Sequence, residues 1–443
     1  MEKYQAVIIG FGKAGKTLAG TLAKSGWRVA IIEQSQSMYG GTCINIGCIP
    51  TKTLVHDAQL QHNFTDAMAR KSSVVELLRN KNYHNLADAA NVDVIDGHAS
   101  FIDNHTLKVV SPQGESLIQG NKIFINTGAR ANMPEIPGLL TTPGVYDSTG
   151  LLNLTELPAH LGILGGGYIG VEFASVFAGF GSKVTIFEAG PRFLPREDED
   201  IAAAVAGILE QQGVDIILNA RIQSVSAGQK SVLLHTAEDV LPVEALLVAT
   251  GRSPNVEGLQ LQNTDITLTP RGAIAVDPWL KTSVDHIWAM GDVNGGPQLT
   301  YISLDDFRIV RDTLLGEGKR NTGDRQHVPY SVFMTPPLSR VGLTEAQARA
   351  SGADIQVVSL PAAAIPRARV INDTQGVLKA IVDNRSREIL GVALLCADSH
   401  EMINTVKTAM DARLHYTVLR DQIYTHPTMS EALNDLFGMV RDN

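Results

Sequence analysis

A glycine pattern that occurs twice is the feature that most limits how this 443-residue chain can fold. Six glycines form the motif G-x-G-x-x-G in two copies, the second 155 positions after the first: Gly10, Gly12, Gly15, Gly165, Gly167 and Gly170. Each copy follows a short apolar run and precedes a helical pattern, and then a second apolar run ends in an acid, Glu33 or Glu188. This order predicts two βαβ units that align without a gap.

Each part of the repeated pattern has a physical function at a phosphate group. The first glycine allows a tight turn, the second lets the backbone approach a pyrophosphate, and the third lets the helix pack on the strand. The helix N-terminus attracts the negative charge, and the acid, 18 residues after the third glycine in both copies, accepts hydrogen bonds from a ribose. One copy alone is equally typical of a structural turn, but two copies in register predict two dinucleotide sites.

The acid of the second copy bears on the choice of nucleotide. The carboxylate of Glu188 would repel a 2′-phosphate, so the sequence favours NADH over NADPH. NADPH stays open as the alternative because Arg192, four residues further on, is long enough to reach such a phosphate. A solvated surface position suits Arg192 better.

Two of the three cysteines, Cys43 and Cys48, lie five positions apart in a glycine-rich segment. The glycines around them permit a turn that brings the two sulfurs within bonding reach. The residues that follow, 52–61, have a helical pattern, and a helix N-terminus stabilises a thiolate. Two buried structural thiols are the alternative, but a disulfide across so small a loop constrains the unfolded chain little. We therefore expect a redox-active pair.

Composition excludes several classes of function. The formal net charge is −9 and no block of Lys and Arg stands out, so a nucleic-acid partner is not expected. No apolar run approaches the ~20 residues that span a bilayer, and the N-terminus does not resemble a signal peptide, which predicts a cytoplasmic protein without a membrane partner. Three cysteines in so long a chain are no disulfide scaffold, and Cys396, in an apolar run, is expected to pack in a core.

The segment 40–52, which reads G-G-T-C-x-N-x-G-C-x-P-T-K, resembles a known family when it is taken together with the doubled glycine motif. The chain is similar over essentially its whole length to the class I pyridine nucleotide-disulfide oxidoreductases, which include dihydrolipoamide dehydrogenase, glutathione reductase and mercuric reductase. The resemblance implies an α/β fold with two Rossmann-like dinucleotide-binding domains, for FAD and NAD(P), and a C-terminal α+β dimerisation domain. We expect an FAD-binding domain in residues 1–148 that is completed by 257–327, an NAD(P)H-binding domain in 149–256 and a dimerisation domain in 328–443.

Three more segments match cofactor motifs of this family in the expected order. Residues 126–129 resemble the second strand-turn of the flavin domain, residues 249–255 the end of the NAD domain, and residues 289–292 the segment whose aspartate holds the ribityl chain. The residues that the resemblance assigns to FAD are Gly10, Gly12, Gly15, Glu33, Gly41, Thr42, Lys52, Thr127, Gly128 and Asp292. Those that it assigns to NADH are Gly165, Gly167, Tyr168, Gly170, Glu188 and Gly251.

The resemblance also implies a path for electrons. NADH reduces the flavin, and the flavin reduces a Cys43–Cys48 disulfide, whose dithiol then reduces an acceptor. Cys48 would be the thiol against the flavin and Cys43 the outer thiol that reacts with the acceptor. Lys52, one helical turn past Cys48, would lie near the flavin and pair with Glu172.

Three further residues take their roles from the same resemblance. Tyr168 matches the aromatic residue that lies over the flavin, where nicotinamide has to enter, although packing alone would also explain an aromatic side chain there. His426, in a His-Pro-Thr motif, would be the general acid and base for the outer thiol, with Glu431 orienting its ring. In the family this histidine serves the active site of the other subunit, which implies a homodimer.

The acceptor is predicted from four segments that are similar to the flavoproteins of bacterial reactive chlorine resistance, which are described as cupric reductases. These segments are residues 10–19, 43–56, 301–306 and 364–369. Thiolates are soft ligands that favour Cu(I), so Cys43 and Cys48 would bind substrate copper transiently, with His426 as an additional nitrogen ligand. His84, His98 and His105 follow no ligand spacing and are expected on the surface.

Other acceptors fit less well. Lipoamide dehydrogenases usually carry His-Ala before the His-Pro pair, where this chain has Tyr424 and Thr425, and glutathione reductase prefers NADPH. Mercuric reductase relies on a C-terminal cysteine pair, and no such pair is present in this sequence. We therefore expect an NADH-dependent metal-ion reductase, with a disulfide reductase of the lipoamide type as the alternative. A flavin-bearing redox sensor is disfavoured because it would not need complete motifs for NADH turnover.

Overall fold

The structure is a computed structural model that describes residues 1–441. These residues form two compact units. Unit 1 consists of Met1–Thr53, Met68–Asn132 and Gly251–Arg325, and unit 2 of Leu54–Ala67, Met133–Thr250 and the residues from Gln326 onward. The three predicted domain boundaries stay a prediction, because the segments expected to bind NAD and to dimerise belong to the same unit. The last two residues of the predicted dimerisation domain lie outside the described residues.

The helices and strands follow one another in α/β order. Those before residue 132 are β1 (Glu2–Ile9), α1 (Lys13–Lys24), β2 (Val29–Glu33), α2 (Thr42–Asn45), α3 (Cys48–Gln59), α4 (Phe64–Ala87), β3 (Val92–Asp96), β4 (His98–Phe101), β5 (Thr106–Ser111), β6 (Gly114–Ile125) and β7 (Ala129–Ala131). Those in the middle are β8 (Val145–Tyr146), α5 (Ser148–Leu151), β9 (His160–Leu164), α6 (Tyr168–Gly179), β10 (Lys183–Phe187), α7 (Glu199–Gln211), β11 (Val214–Ile217), β12 (Ser224–Ala227), β13 (Val232–His235), β14 (Val240–Val243) and β15 (Ala245–Val248). Those after residue 250 are β16 (Arg252–Pro254), β17 (Ile287–Ala289), α8 (Thr300–Leu315), β18 (Tyr330–Val332), β19 (Leu338–Gly342), α9 (Glu345–Ala350), β20 (Ile355–Pro361), α10 (Pro366–Val370), β21 (Val377–Asp383), β22 (Ile389–Leu395), α11 (Ser399–Asp411), α12 (Thr417–Asp421) and α13 (Ala432–Gly438). None of the helices within residues 1–441 combines the length and apolar character that crossing a bilayer requires.

Unit 1 is built on a seven-stranded sheet in the order β3-β2-β1-β6-β5-β4, with β17 also paired to β6. The strands β3, β2, β1, β6 and β17 are parallel to one another, whereas β5 pairs with β6, and β4 with β5, in the antiparallel sense. Strand β2 is buried along its whole length, as expected for a parallel strand that is covered on both faces. A separate ribbon pairs β7 with β16.

Unit 2 contains a five-stranded parallel sheet in the order β11-β10-β9-β15-β8 and a small antiparallel sheet of β12, β13 and β14. Its C-terminal part is an antiparallel sheet, β18-β19-β22-β21-β20. The apolar residues of β22 and the helices α11 and α13 form one core there. Two parallel nucleotide-type sheets and a C-terminal α+β part confirm the predicted fold class.

One face of α6 is bonded to the segment that contains β18. Glu172 Oε1 accepts the Phe333 N–H at 2.8 Å, and Ser175 Oγ accepts the Thr335 N–H at 3.1 Å. Tyr168, one turn before Glu172, contacts the same segment through its hydroxyl group. Because residues four and three positions apart share a helix face, the whole N-terminal half of α6 is held in place.

Candidate nucleotide and thiol site

The two glycine turns have the same backbone geometry. Gly10 has φ = +100° and Gly165 has φ = +108°, a region that side chains other than glycine rarely adopt. A Cβ atom at Gly10 would lie 2.4 Å from the Asn126 carbonyl oxygen, and one at Gly165 would lie 2.6 Å from that of Ala249. Each turn therefore needs glycine for its conformation. It also needs glycine because the residue that follows the neighbouring strand, β6 at the first turn and β15 at the second, approaches closely.

The acid of the first turn is held by backbone groups of that turn. Glu33 Oε2 accepts the Phe11 N–H at 3.0 Å, and Oε1 accepts the Ser35 N–H at 3.2 Å. Burial raises the pKa of Glu33, while these backbone hydrogen bonds lower it. Each oxygen keeps a further lone pair, so Glu33 can still accept a bond from a ribose hydroxyl.

The acid of the second turn repeats this arrangement 155 positions later. Glu188 Oε2 accepts the Gly166 N–H at 2.8 Å, and Oε1 accepts the Gly190 N–H at 2.7 Å. Arg192, the predicted alternative contact for a 2′-phosphate, is half-exposed and ion-paired to Glu199 at 3.4 Å. The expectation that Glu188 faces a ribose stays a prediction.

The helix that follows each turn begins at a glycine N-cap, and in α1 the N–H groups of Ala14 and Gly15 donate to Ser303 Oγ and Asn126 Oδ1. Gly12 is the N-cap of α1 and Gly167 that of α6, and neither has a capping side chain. A Cβ at Gly167 would meet nothing within 4 Å, so the space above the N-terminus of α6 is open. At the first turn Gly41, with φ = +81°, lies so close that its Cβ would be 2.7 Å from Gly12 Cα. These cradles fit the pyrophosphates of the two predicted dinucleotides.

The predicted ribityl aspartate lies in a short 3-10 turn, Gly291–Asn294. Asp306, which is buried, accepts the Gly291 N–H at 2.6 Å, and Arg325 forms an ion pair with it. Burial raises the pKa of Asp292, and the charge of Arg252 opposes this effect. Asp306 and Arg325 thus fix the turn that carries Asp292.

Thr127 and Gly128, which are predicted to lie in the flavin turn, are hydrogen-bonded to Asn255, the last residue of the segment 249–255. Thr127 Oγ1 donates to the Asn255 carbonyl at 2.7 Å, and the Gly128 carbonyl accepts the Asn255 N–H at 2.9 Å. Gly251 has φ = +113°. The Thr127 hydroxyl is therefore used inside the protein, and its contact with FAD remains a prediction.

The two cysteines lie at the start of adjacent short helices. Cys43 is in α2, and Cys48 begins α3, so the helix starts four residues earlier than the predicted Lys52. Both are half-buried thiols that are not joined in a disulfide. The pKa of Cys43 is raised, mainly by its hydrogen bond with Cys48 and also by burial. The Cys43 sulfur therefore keeps its proton at neutral pH.

Two residues at the N-terminus of α8 complete the thiol site, and the sequence did not reveal them. Thr300 Oγ1 lies 3.5 Å from Cys48 Sγ. The pKa of Tyr301 is raised to about 12, chiefly by burial and also by the charge of Cys48. Tyr301 begins the segment 301–306 that resembles the reactive chlorine resistance flavoproteins, but nothing in the spacing of Thr300 and Tyr301 connects them with Cys48.

Lys16 is a third residue near the cysteines that could not be assigned a role from the sequence. Its ammonium group donates to the Gly40 carbonyl at 3.0 Å, just before the cysteine segment. Burial lowers its pKa to about 8, and Lys13 adds to this effect, whereas Cys43 opposes it. Its position directly after the last glycine of the first glycine motif is the sequence signal that could have identified it.

The remaining predicted residues lie in different parts of the molecule. Lys52 belongs to unit 1 and Glu172 to unit 2, so their pairing stays a prediction. His426 Nδ1 is hydrogen-bonded to Glu431 Oε2 at 2.8 Å, and 70% of the His426 side chain is exposed. This contact fixes the ring and leaves Nε2 accessible. Within residues 1–441, no group of three or more His, Cys, Asp and Glu side chains is arranged to hold a metal ion.

Tyr168 is the first residue of α6 and directly follows the open glycine turn. Its hydroxyl donates to Glu197 Oε1 at 2.7 Å and contacts the Tyr330 hydroxyl at 3.1 Å. The sequence predicted Tyr168 but neither of its partners, because Glu197 and Tyr330 belong to separate segments of unit 2.

Comparison with known proteins gives consistent matches along the chain. Residues 4–306 match the family model described as pyridine nucleotide-disulphide oxidoreductase, and residues 328–437 match the dimerisation domain of that family. RclA of Escherichia coli (strain K12) is 69% identical over 441 residues, with 100% of both chains covered. Mercuric reductase of Staphylococcus aureus is 33% identical and covers 97% of this chain, with 81% of its own length matched. Dihydrolipoyl dehydrogenase of Mycobacterium bovis is also 33% identical, with 99% of both chains covered.

A solved structure also resembles the whole chain. It is described as the Cu(II) complex of the HOCl-induced flavoprotein disulfide reductase RclA from Escherichia coli. The TM-score is 0.98 at 69% identity, and 100% of each chain is covered.

Alanine should have different effects at the second and third glycines of the second glycine motif, Gly167 and Gly170. A Cβ at Gly170 would lie 2.2 Å from the Gly165 carbonyl oxygen, whereas one at Gly167 meets nothing. We expect Gly170→Ala to lower the melting temperature, since overpacking costs about 1–3 kcal/mol. Gly167→Ala should melt like wild type but bind NADH about ten-fold more weakly, because the methyl group blocks the pyrophosphate. Thermal unfolding and titration calorimetry test this, and equal melting temperatures for the two variants would contradict it.

Proposed function

The chain belongs to the pyridine nucleotide-disulphide oxidoreductase family, and on this premise we propose that it is an NADH-dependent flavoprotein that reduces Cu(II) through the Cys43–Cys48 pair. Family membership implies FAD and NAD(P)H as cofactors. The preference for NADH, the roles of single residues and the metal acceptor belong to the proposal.

The observation that carries the proposal is the state of the thiol pair. The hydrogen bond between Cys43 and Cys48 holds the sulfurs side by side, and Thr300 adds a hydroxyl next to Cys48. Cys48 also lies at the N-terminus of α3, where the helix dipole favours a thiolate. The pair can therefore hold one thiol and one thiolate at neutral pH, which is the reduced form of a disulfide that exchanges two electrons.

FAD, when bound, supplies a carrier that takes a hydride from NADH and passes two electrons to the disulfide. The residues placed to hold FAD are Glu33 at the ribose, the backbone near Gly12 and Gly41 at the pyrophosphate, and Asp292 at the ribityl chain. Glu188 and the open N-terminus of α6 would hold the ribose and the pyrophosphate of NADH. Reduction of the disulfide breaks the S–S bond and leaves a proton on Cys43 and a negative charge on Cys48.

The acceptor step balances with two copper ions. Two Cu(II) ions each take one electron from the dithiol, the Cys43–Cys48 bond re-forms, and the thiol proton is released. The net reaction is NADH + 2 Cu(II) → NAD⁺ + H⁺ + 2 Cu(I). The support is the preference of soft thiolates for Cu(I) and the Cu(II) complex of the RclA protein that resembles this chain.

The proton on Cys43 calls for a base, and His426 is the candidate. Glu431 holds Nδ1 of the ring, so that Nε2 can accept the proton of the outer thiol. In the proposed homodimer, the partner subunit's His426 serves the cysteines of this chain. The match of residues 328–437 to the dimerisation domain supports the pairing of two copies.

A disulfide reductase of the lipoamide type is the second candidate function. The His426–Glu431 pair favours it, because an oriented acid and base is what thiol–disulfide exchange needs. Reduction of a metal ion needs the base only to remove a proton.

A side-by-side comparison of acceptors tests the proposed function. We expect NADH oxidation by the purified holoenzyme to be faster with Cu(II) than with lipoamide, glutathione disulfide or Hg(II), measured as kcat/KM. A Cys43→Ser variant should lose the copper-dependent rate. Preference for lipoamide by orders of magnitude would reject copper reduction and leave the disulfide reductase.

The assignment of Cys48 to the flavin side has a spectroscopic test. Reduced anaerobically with NADH, the wild-type holoenzyme should develop a long-wavelength thiolate-to-flavin absorption band, and Cys48→Ser should not. Cys43→Ser, the matched control, should show the band even before reduction, because in this variant Cys48 cannot form a disulfide with residue 43. Absence of the band in wild type, or its presence in Cys48→Ser, would refute this assignment.

The nucleotide preference should depend on the charge of Glu188. Glu188→Gln keeps the shape of the side chain but removes the charge that repels a 2′-phosphate, so the NADH-to-NADPH ratio of kcat/KM should fall by about ten-fold, or ~1.4 kcal/mol. Glu210→Gln makes the same change of charge at an exposed residue of α7 and leaves the Arg192–Glu199 ion pair intact, so it should keep the ratio. A ratio that is unchanged in Glu188→Gln would exclude the ribose role of this acid.

A further inference from the structure

We propose that Glu197 is a positioning residue that tethers Tyr168 and thereby weakens binding of the nicotinamide half of NADH. The inference rests on the proposed function, in which Tyr168 lies where nicotinamide has to enter. It makes the Glu197 carboxylate one of the groups that set the affinity for NADH. Glu197 is in turn bound to Arg340 in the C-terminal sheet of unit 2.

The tether is a compact group of three oxygens. Glu197 Oε1 accepts a hydrogen bond from the Tyr168 hydroxyl at 2.7 Å and another from the Tyr330 hydroxyl at 2.6 Å. The two hydroxyls are 3.1 Å apart, and the ring centroids are 5.4 Å apart. Tyr168 is thus held at its hydroxyl and along its ring.

Glu197 itself cannot follow a movement of Tyr168. Its side chain is completely buried, and Oε2 forms an ion pair with Arg340 Nε at 2.7 Å. Arg340, on β19, is bound at the same time by Asp198 at 2.7 Å, and Asp198 accepts the Glu345 N–H at 2.8 Å. Because every charge in this cluster has a partner, the acceptor of the Tyr168 hydrogen bond has a fixed position.

The chemistry makes the tether strong at neutral pH. Burial and the Glu197 carboxylate raise the pKa of both Tyr168 and Tyr330. Both hydroxyls therefore keep their protons and act as donors. A hydrogen bond to an ionised acceptor is about twice as strong as one between neutral groups.

Only the ring of Tyr168 is left to move when nicotinamide binds. Contacts of Glu172 and Ser175 with the segment after β18 hold the backbone of α6. Displacing the ring then breaks its hydrogen bond to Glu197, and this loss opposes nicotinamide binding. The adenosine half of NADH, which would bind at Glu188, needs no such movement.

Binding measurements on the oxidised holoenzyme with two ligands test the tether. NAD⁺ carries nicotinamide and ADP-ribose does not, so the tether should affect only NAD⁺. We expect Tyr168→Phe to bind NAD⁺ about five-fold more tightly than wild type by titration calorimetry and to bind ADP-ribose equally well. In steady-state kinetics the KM for NADH should fall.

Glu197 is tested through a double-mutant comparison. Glu197→Gln should raise the affinity for NAD⁺ as Tyr168→Phe does, but it should add less than about 1.5-fold when Tyr168 is already Phe. Glu199→Gln, an exposed neighbour with the same change of charge, should leave both ligands unaffected. If Glu197→Gln does not fold, Tyr168→Phe alone decides.

The results separate this inference from the proposed function. Unchanged NAD⁺ affinity in Tyr168→Phe, or an equal change for ADP-ribose, overturns the tether while the wild-type enzyme is still reduced by NADH. If NADH does not reduce the wild-type flavoprotein at all, the proposed function fails instead.

Discussion

Both nucleotide sites depend on a contact between two backbones with no side chain between them. A Cβ at Gly15 would lie 2.7 Å from the Gly10 carbonyl oxygen, and one at Gly170 would lie 2.2 Å from that of Gly165. This approach brings the helix N-terminus to the end of the strand, where it can meet a phosphate. It also puts the backbone N–H groups of the turn within reach of the acid on the next strand, so one packing constraint sets two parts of each site.

Each unit then uses a buried carboxylate to fix an element of its cofactor site. In unit 1, Asp306 holds the turn of Asp292 and is neutralised by Arg325. In unit 2, Glu197 holds Tyr168 and is neutralised by Arg340. Burying an ion is costly unless it is paired and fully hydrogen-bonded, and here each pairing also fixes the position of a residue that is predicted to contact a cofactor.

What could be predicted from the sequence is what local spacing encodes. The glycines, Glu33, Glu188 and the cysteine pair lie in short continuous motifs, and the structure places them in matching turns and at helix starts. Thr300 and Glu197 could not be predicted, because each meets its partner only through the packing of segments remote in sequence: Thr300 is 252 residues from Cys48. The helix start at Cys48 was placed late because the glycine and proline residues around it hid the helical pattern.

The protonation of the thiol pair near the start of the sequence bears on the histidine motif near its end. Two adjacent sulfurs do not both ionise at neutral pH, because the first negative charge raises the pKa of the second thiol, as it does for Cys43. The N-terminus of α3 favours a charge on Cys48, whereas the outer thiol of Cys43 keeps its proton and is a poor nucleophile or metal ligand. A reaction at Cys43 therefore needs a separate base. In the proposed function this base is His426, whose Nδ1 is fixed by Glu431.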